Sequence, residues 1–167
     1  MFKALLLTIL ISFSLSENIE QYKKRTKNCE VGDKNIKMQV DLLTKLAKST
    51  REKAEKIFKF ARDDIKYKYY DDTRNGAVKT LKNKVGNCSD QSHLLIALLR
   101  TAGIPARYKH GRCYFVVSKR WIGHVWVEAY VDKKWYSLDP TGPKNTFGKA
   151  NNWSKSQNVK TYLELPF

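Results

Sequence analysis

A thiol, an imidazole and a carboxylate follow one another along this chain in an order that suits nucleophilic catalysis. Cys88 precedes an apolar helical stretch, His124 begins a strand-like run, and Asp139 follows a second such run. A cysteine nucleophile needs a base within hydrogen-bonding reach and a third group that orients the base. The pattern therefore predicts a thiol enzyme whose catalytic residues are Cys88, His124 and Asp139.

The residues after Cys88 have the spacing of an amphipathic helix, which is predicted over 89–100. Its apolar stripe consists of Leu94, Leu95, Leu98 and Leu99. Gly103 and Pro105 are typical of the end of a helix. A helix N-terminus lowers the pKa of a nearby thiol, because free backbone N–H groups and the positive end of the helix dipole favour the thiolate. Cys88 is thus predicted where a reactive thiolate is stabilised.

His124 and Asp139 are predicted to lie on neighbouring strands of one hairpin. Side chains alternate between two faces over His124–Val131, a turn follows at 132–134, and Trp135–Leu138 forms the returning strand. Folding the chain back around this turn brings Asp139 close to the cross-strand neighbours of His124. The strand register stays open by a residue or two, so the sequence predicts proximity and no particular contact.

Four further residues are predicted to contact the substrate. Asn87 adjoins the nucleophile, and Trp126 shares a strand face with His124. Tyr69 and Tyr70 lie in the segment Tyr67–Val85, which we interpret as a loop, and loops before an active-site helix often form the substrate groove. The alternative for the tryptophan and the tyrosines is an ordinary role as core aromatics.

Two polar residues of the nucleophile helix are assigned structural roles. Asp90, in the first turn, is expected to serve the helix N-terminus, and His93 is expected to pack or cap. The oxyanion hole would combine the backbone N–H of Cys88 with a second donor, which the sequence does not identify.

Helices come first in this chain, and antiparallel strands follow. One helix is predicted over Ile36–Ala47, and a capping box at Ser49–Glu52 begins a second helix that extends to Ile65. Strands are predicted at Ala106–Lys109, Arg112–Ser118, His124–Val131 and Lys134–Leu138, with an edge strand at Tyr162–Phe167. The order predicts an α+β fold with the nucleophile helix packed on an antiparallel sheet.

The N-terminus has the features of a secretory signal over residues 1–16. Lys3 precedes a short apolar run, and Ser14-Leu15-Ser16 resembles a cleavage site. The run is shorter than the roughly 20 apolar residues of a transmembrane helix, although an uncleaved anchor or an ordinary helix remains an alternative. We therefore expect a secreted or surface protein with a lead segment over 17–35, a catalytic domain over 36–167 and no membrane span in the mature chain.

The chain is strongly basic. Its 167 residues include 32 Lys and Arg against 16 Asp and Glu, which gives a net charge of +16. Such a surface attracts anionic material, so an anionic cell-wall polymer or peptide is the expected partner. No nucleic-acid-binding motif accompanies the charge, and no specific nucleic acid is predicted. The alternative is a solvated basic surface without a dedicated partner; the oligomeric state is left open.

Three cysteines leave at least one thiol unpaired in an oxidising compartment, as a thiol enzyme requires. If Cys88 is that free thiol, a Cys29–Cys113 disulfide is possible. Otherwise Cys113, in a strand-like segment, is a small core residue.

Four motifs together resemble the transglutaminase-like superfamily of papain-type thiol enzymes. They are Gly86-Asn87-Cys88, the segment Leu98–Arg107, Gly123-His-Val-Trp126 and the segment Trp135–Thr141. The tail, with Asn145-Thr-Phe-Gly148 and Asn151-Asn-Trp153, is similar to a branch found in methanogenic archaea and their viruses. Some members of that branch are pseudomurein endoisopeptidases, which cut isopeptide cross-links of the archaeal wall.

The resemblance implies that Cys88 is the nucleophile, His124 the general base and acid, and Asp139 the orienter. It implies a papain-like α+β fold and a peptidase or amidase of cell-wall peptide, and it implies no metal or cofactor. The chain differs from the wall-cutting members in having no wall-binding repeats. Two alternatives stay open, namely transglutaminase-type acyl transfer and a catalytically silent module that binds wall polymer.

Overall fold

The computed structural model describes residues 18–167, so the predicted signal segment lies outside the described residues. A short 3₁₀ helix, Ile19–Lys23, comes first. The α-helices are α1 (Lys34–Thr44), α2 (Thr50–Asp63), α3 (Ala77–Asn83) and α4 (Cys88–Thr101). The strands are β1 (Lys66–Tyr67), β2 (Val85–Gly86), β3 (Ala106–Phe115), β4 (Arg120–Val131), β5 (Lys134–Leu138) and β6 (Trp153–Tyr162).

The strands form two sheets. The larger sheet is antiparallel with the order β5-β4-β3-β6, and β1 and β2 form a small parallel pair. The helices precede the larger sheet in the chain, and α4 packs against β3 and β4. The predicted α+β fold, with the nucleophile helix on an antiparallel sheet, is confirmed.

Helix α4 is the centre of the core. Residues 89–100 are all buried, so the helix is surrounded on every side and is not limited to one apolar stripe. One hydrophobic cluster joins its four leucines to the alternate residues of β4 that point inward, Val125, Val127, Ala129 and Val131. Full burial of a leucine or valine side chain contributes about 1.5–3 kcal/mol. This packing fixes the helix whose first residue is Cys88.

Side-chain caps define where the first two α-helices begin. The carboxylate of Asp33 accepts from the backbone N–H of Asn35 at 2.8 Å, ahead of α1. Ser49 Oγ accepts from the N–H of Glu52 at 3.1 Å, and Glu52 Oε2 accepts from the N–H of Lys48 at 2.7 Å. The predicted capping box is thus present, with the reciprocal bond displaced by one residue.

The prediction of a continuous loop over Tyr67–Val85 is wrong, because this segment contains α3. The helix is short and buries one face, with Ala77, Thr80 and Leu81 inside. Its first N–H groups are held by tertiary contacts: the N–H of Ala77 donates to Asn28 O at 3.0 Å and to Glu30 Oε2 at 2.8 Å. A helix this short depends on packing more than on its own propensity, so the local sequence carries little sign of it.

The two strands predicted at Ala106–Lys109 and Arg112–Ser118 are one continuous strand, β3. Gly111 lies inside it, where a Cβ would come within 2.9 Å of the backbone oxygen of Gln157. Glycine therefore permits the close approach of β6 and does not mark a break between strands.

The prediction of an edge strand at Tyr162–Phe167 is also wrong, since the strand at the edge beside β3 is β6, which ends at Tyr162. Nearly every residue of β6 is exposed, so the strand shows none of the alternation that identifies a half-buried strand. The tail leaves the sheet because Leu165 is buried and Arg100 Nη2 donates to the backbone oxygen of Leu163 at 2.9 Å.

The three cysteines are free thiols, so the possible Cys29–Cys113 disulfide is not formed. Cys29 is buried in the hydrophobic cluster with the guanidinium of Arg100 3.9 Å from its sulfur, whereas Cys113 is buried in β3. No helix within residues 18–167 combines the length and the apolar character needed to cross a bilayer.

Candidate active site

Cys88 is the first residue of α4, at the predicted position. Asn87 caps the helix: its side-chain oxygen accepts from the N–H of Asp90 at 3.1 Å. Cys88 therefore lies at the helix N-terminus, where the helix dipole favours a negative charge. Cys88 itself is half-buried, and it lines a cavity.

His124 lies in β4 and Asp139 directly follows β5. Val127 pairs with Leu138, so Asp139 enters the sheet diagonally across from His124, as the hairpin spacing predicts. His124 Nε2 lies 2.9 Å from Asp139 Oδ2, and both residues are at least 96% buried. This contact fixes the ring orientation, and it leaves Nδ1 as the nitrogen that faces Cys88.

Both carboxylate oxygens of Asp139 accept hydrogen bonds. Trp153 Nε1 also donates to Oδ2, at 2.7 Å, while the N–H and hydroxyl of Thr141 donate to Oδ1 at 2.9 and 2.7 Å. Four donors thus surround one buried carboxylate, and such charge-assisted bonds hold it ionised and in place. Trp153 comes from β6, an element that sequence reasoning missed, and no sequence signal linked it to the site.

The surroundings of Cys88 favour its thiolate. Burial raises the pKa of the thiol, but the hydrogen bond to His124 and the positive charge of that imidazolium outweigh burial, with help from the backbone of Val125 and Ser89. The pKa of Cys88 is therefore lowered. A thiol with a lowered pKa forms more of the nucleophilic thiolate near neutral pH.

His124 is the complementary cation. Burial alone would lower its pKa, but the charge and hydrogen bond of Asp139, together with Cys88, raise it to about 10. Burial pushes the pKa of Asp139 upward, yet His124 and Thr141 lower it overall. The contacts among Cys88, His124 and Asp139 thus favour a thiolate, an imidazolium and a carboxylate, which is the charge pattern of an activated cysteine nucleophile.

The remaining cysteines do not share this activation. Burial raises the pKa of Cys29 to about 11 and that of Cys113 to about 12. Cys88 is therefore distinct among the three thiols. His93, which we expected to pack or cap, lies inside the core with Nδ1 2.8 Å from Tyr108 Oη, and burial lowers its pKa to about 4.

Aromatic rings enclose the His124 imidazole. The ring of Trp126 stacks on it at 6.1 Å, Phe115 meets it edge-on at 5.1 Å, and Trp153 packs behind Trp126 at 5.3 Å. Trp126 is 4% exposed and does not line the cavity. Trp126 is therefore a core aromatic and not a substrate contact, and it shields the His124–Asp139 pair from water.

A cavity of about 890 Å³ opens at Cys88 and His124. Asn87, Tyr69 and Tyr70, which were predicted to contact substrate, line it. Its other lining residues are Tyr67, Asp71, Ser89, His110, Phe115, Val117, Ser118, Ile122, Gly123, Val125, Thr141, Gly142, Pro143, Asn152 and Phe167. The nucleophile is therefore accessible to a peptide-sized ligand.

Asp90 is the acidic residue in the first turn of α4, as expected, and its side chain also holds the loop that precedes the helix. Its Oδ2 accepts from the Tyr70 hydroxyl and its Oδ1 from the N–H of Asn75 at 2.8 Å. Asn87 extends the same network, since its Nδ2 donates to the backbone oxygens of Tyr70 and Asp72, both at 3.2 Å. The cavity wall carrying Tyr70 is thus tied to the start of α4.

Changing Asp90 to asparagine is expected to lower the free energy of unfolding by about 1–3 kcal/mol. The amide nitrogen would face the donors of Tyr70 or Asn75, leaving a buried donor unsatisfied. Urea unfolding of the two proteins measures the difference. Asp41→Asn is the matched control, because Asp41 pairs with Lys37 on the exposed surface, where a pair contributes at most about 1 kcal/mol. Equal effects of the two substitutions would contradict this role of Asp90.

The described residues, 18–167, contain no group of three histidine, cysteine or acidic side chains that could hold a metal ion.

The profile of the transglutaminase-like superfamily matches residues 37–140. This match covers more than half of the chain and contains the Cys88, His124 and Asp139 positions, so the chain belongs to the transglutaminase-like superfamily. The resemblance found in the sequence is confirmed at that level.

Two solved structures share the fold of this chain, and one curated relative is similar to part of its sequence. A candidate cysteine protease from Cytophaga hutchinsonii superposes with a TM-score of 0.66 at 22% identity, over 93% of this chain and 60% of that one. The periplasmic domain of TgpA from Pseudomonas aeruginosa gives 0.57 at 18% identity, over 76% of this chain and 48% of that domain. The uncharacterized protein YebA of Bacillus subtilis (strain 168) is 33% identical over 75 residues, covering 36% of this chain and 10% of YebA. These structural likenesses show the fold, and this chain spans less than two thirds of each relative.

Proposed function

We propose that this protein is a cysteine peptidase or amidase that cleaves an amide or isopeptide bond through a thioester on Cys88. The observation that carries the proposal is the buried contact chain from the Cys88 thiol through His124 to Asp139, placed at the mouth of a cavity. A merely structural cysteine would need neither the lowered pKa nor the opening to solvent.

The proposed reaction has two steps. The Cys88 thiolate attacks the amide carbonyl, and the His124 imidazolium gives its proton to the leaving amine as the C–N bond breaks. The neutral imidazole then takes a proton from water, whose oxygen attacks the thioester, and the acid product leaves with Cys88 restored. Asp139 keeps its charge throughout and holds the imidazole in one orientation.

Tyr67 supplies the second oxyanion donor in this proposal. The parallel pairing of β1 with β2 places Tyr67 beside Gly86, two residues before Cys88. The side chains of Tyr67 and Cys88 both line the cavity. Burial and the nearby charge of Cys88 raise the pKa of the Tyr67 hydroxyl to about 12. Tyr67 therefore keeps its proton and can donate it, together with the Cys88 N–H, to the oxyanion.

Changing Tyr67 to phenylalanine is expected to lower kcat for amide cleavage by about 10²-fold with a smaller change in KM. The reason is that the hydroxyl would stabilise charge that develops only in the transition state. Tyr114→Phe is the control, because Tyr114 packs edge-on against Trp121 outside the cavity. If both variants keep the parent kcat, another group provides the second donor.

The substrate we propose is a cell-wall peptide, met outside the cytoplasm. Three features support this: the signal-like N-terminus, the net charge of +16, and the similarity of the sequence tail to the pseudomurein endoisopeptidase branch. The periplasmic domain of TgpA, which has this fold, is an example outside the cytoplasm. The basic surface would hold the enzyme on an anionic wall polymer.

The test is to incubate the purified protein and its Cys88→Ala variant with peptides that contain isopeptide or α-peptide bonds. Release of amine by the parent alone supports hydrolysis. Incorporation of a labelled amine by the parent alone would instead assign acyl transfer, in which the amine replaces water at the same thioester. Equal behaviour of parent and variant would overturn both enzymatic functions. In that event, salt-resistant retention on wall material would favour a silent binding module, because purely electrostatic adhesion is lost at high ionic strength.

A further inference from the structure

Three exposed apolar side chains line the Cys88 cavity. Val117 at the β3–β4 turn is 92% exposed, Ile122 in β4 is 40% exposed and Phe167 is 51% exposed, and all three line the cavity. Isolated exposed apolar residues are ordinary, but a group of them around one cavity indicates a surface that a ligand covers. We call these three residues the apolar rim.

The apolar rim continues inward to the catalytic imidazole. The ring of Phe167 meets that of His110 edge-on at 5.2 Å, and Phe115 lies between the turn and the ring of His124, which it contacts at 5.1 Å. Burial lowers the pKa of His110, with the charges of His124 and Lys160 as smaller causes, so His110 is neutral at neutral pH. Phe167, His110 and Phe115 thus add aromatic surface to the lining that contains the apolar rim.

The charge of the cavity differs from that of the whole chain. Although the protein carries 32 lysines and arginines, none of those within the described part of the chain lines this cavity. An exposed carboxylate of the cavity lining belongs to Asp71, which accepts from the Tyr69 hydroxyl at 2.7 Å. An anionic side chain placed here would lose its hydration without meeting a lysine or arginine of the cavity lining, and Asp71 would repel it.

We propose that the cavity selects a substrate with an aliphatic or aromatic side chain next to the scissile amide, and that this side chain packs on the apolar rim. An anionic wall polymer would then bind only to the basic outer surface, while an uncharged apolar peptide segment enters the cavity. This inference rests on the proposed function, because it names the substrate class of the same thiol site.

The first test is a panel of peptides that share one scissile bond and differ in the neighbouring residue, with Leu, Phe, Gly, Lys or Glu at that position. The parent enzyme is expected to cleave the Leu and Phe peptides with kcat/KM at least about tenfold above that of the Gly, Lys and Glu peptides. Equal values across the panel, or a preference for Glu or Lys, would overturn the inference.

The variant Val117→Asp places a charge on the apolar rim without touching the core. It is expected to lower kcat/KM for the Leu peptide by about tenfold. The matched control is Leu42→Asp, which changes a 67% exposed leucine on α1, away from the cavity, and should leave kcat/KM within about twofold. Equal effects of the two variants would place the selectivity outside the apolar rim.

Affinity separates failure of this inference from failure of the proposed function. If no peptide is cleaved faster by the parent than by Cys88→Ala, the enzymatic proposal fails, yet binding of the labelled peptides to Cys88→Ala can still be measured by fluorescence anisotropy. The Leu peptide is expected to bind at least about tenfold more tightly than the Glu peptide. Equal or reversed affinities would overturn the selection of apolar side chains, whatever the turnover.

Discussion

Replacing His124 with alanine is expected to lower kcat for amide cleavage by about 10⁴-fold or more. The imidazole has two tasks in the proposed reaction, because it stabilises the Cys88 thiolate and it delivers the proton to the leaving amine. Without the imidazolium, burial is the dominant influence on the Cys88 thiol, and burial raises its pKa. A smaller fraction of the Cys88 thiol is therefore ionised, and the leaving amine no longer receives a proton from His124.

The loss can be checked with single-turnover kinetics on the best substrate of the peptide panel. Because His124 is buried, near-UV circular dichroism should first establish that the variant keeps its tertiary packing. An activity within about tenfold of the parent, in a folded variant, would show that another group carries the proton.

The second large effect is expected at Asp139. Its replacement by alanine should lower kcat/KM by about 10³-fold or more, since His124 loses the acceptor that fixes its orientation and stabilises its charge. The pKa of His124 should fall as well, because the charge of Asp139 is the main influence that raises it against burial. The alkaline limb of the pH–rate profile should consequently move to lower pH.

Asp139→Asn is expected to be less damaging than Asp139→Ala. The amide oxygen can still face His124 and Trp153, and the amide nitrogen can donate to the Thr141 hydroxyl. The N–H of Thr141 would then lack its acceptor, and the Thr141 hydroxyl would accept from the amide instead of donating to Oδ1. Asp132→Asn, in the exposed β4–β5 turn, serves as the control and should keep the parent kcat/KM. An asparagine variant as inactive as the alanine variant would show that charge, and not orientation, is what Asp139 contributes.

The parts of the fold that sequence predicted correctly are those with strong local signals. The helix after Cys88 has regular leucine spacing and a clear C-terminal stop, and the hairpin carrying His124 alternates cleanly around a short turn. Helix α3 was missed because tertiary contacts from Asn28 and Glu30 support it. Strand β6 was missed because both of its faces are exposed. Its sequence therefore lacks the alternation of apolar and polar residues that identifies a half-buried strand.

The same distinction applies to the site. The contact between His124 and Asp139 follows from one hairpin, so a single turn sufficed to predict it. Trp153 reaches Asp139 from the far side of β3, and Tyr67 comes beside Cys88 through a two-residue parallel pair. Both placements depend on the order of the strands in the sheets, which a single sequence does not specify. Their contributions therefore became visible only in the folded structure.

The pH dependence of Cys88 alkylation reports whether His124 activates the thiol, and it needs no knowledge of the substrate. Iodoacetamide reacts with thiolate, and the raised pKa values of Cys29 and Cys113 leave Cys88 as the reactive thiol. Alkylation of Cys88 in the parent is expected to rise at a pH below about 8.5, the ordinary pKa of a cysteine thiol, and His124→Ala should shift this rise to higher pH. Alkylation of Cys88 that rises only near pH 8.5 or above, alike in parent and variant, would contradict this expectation.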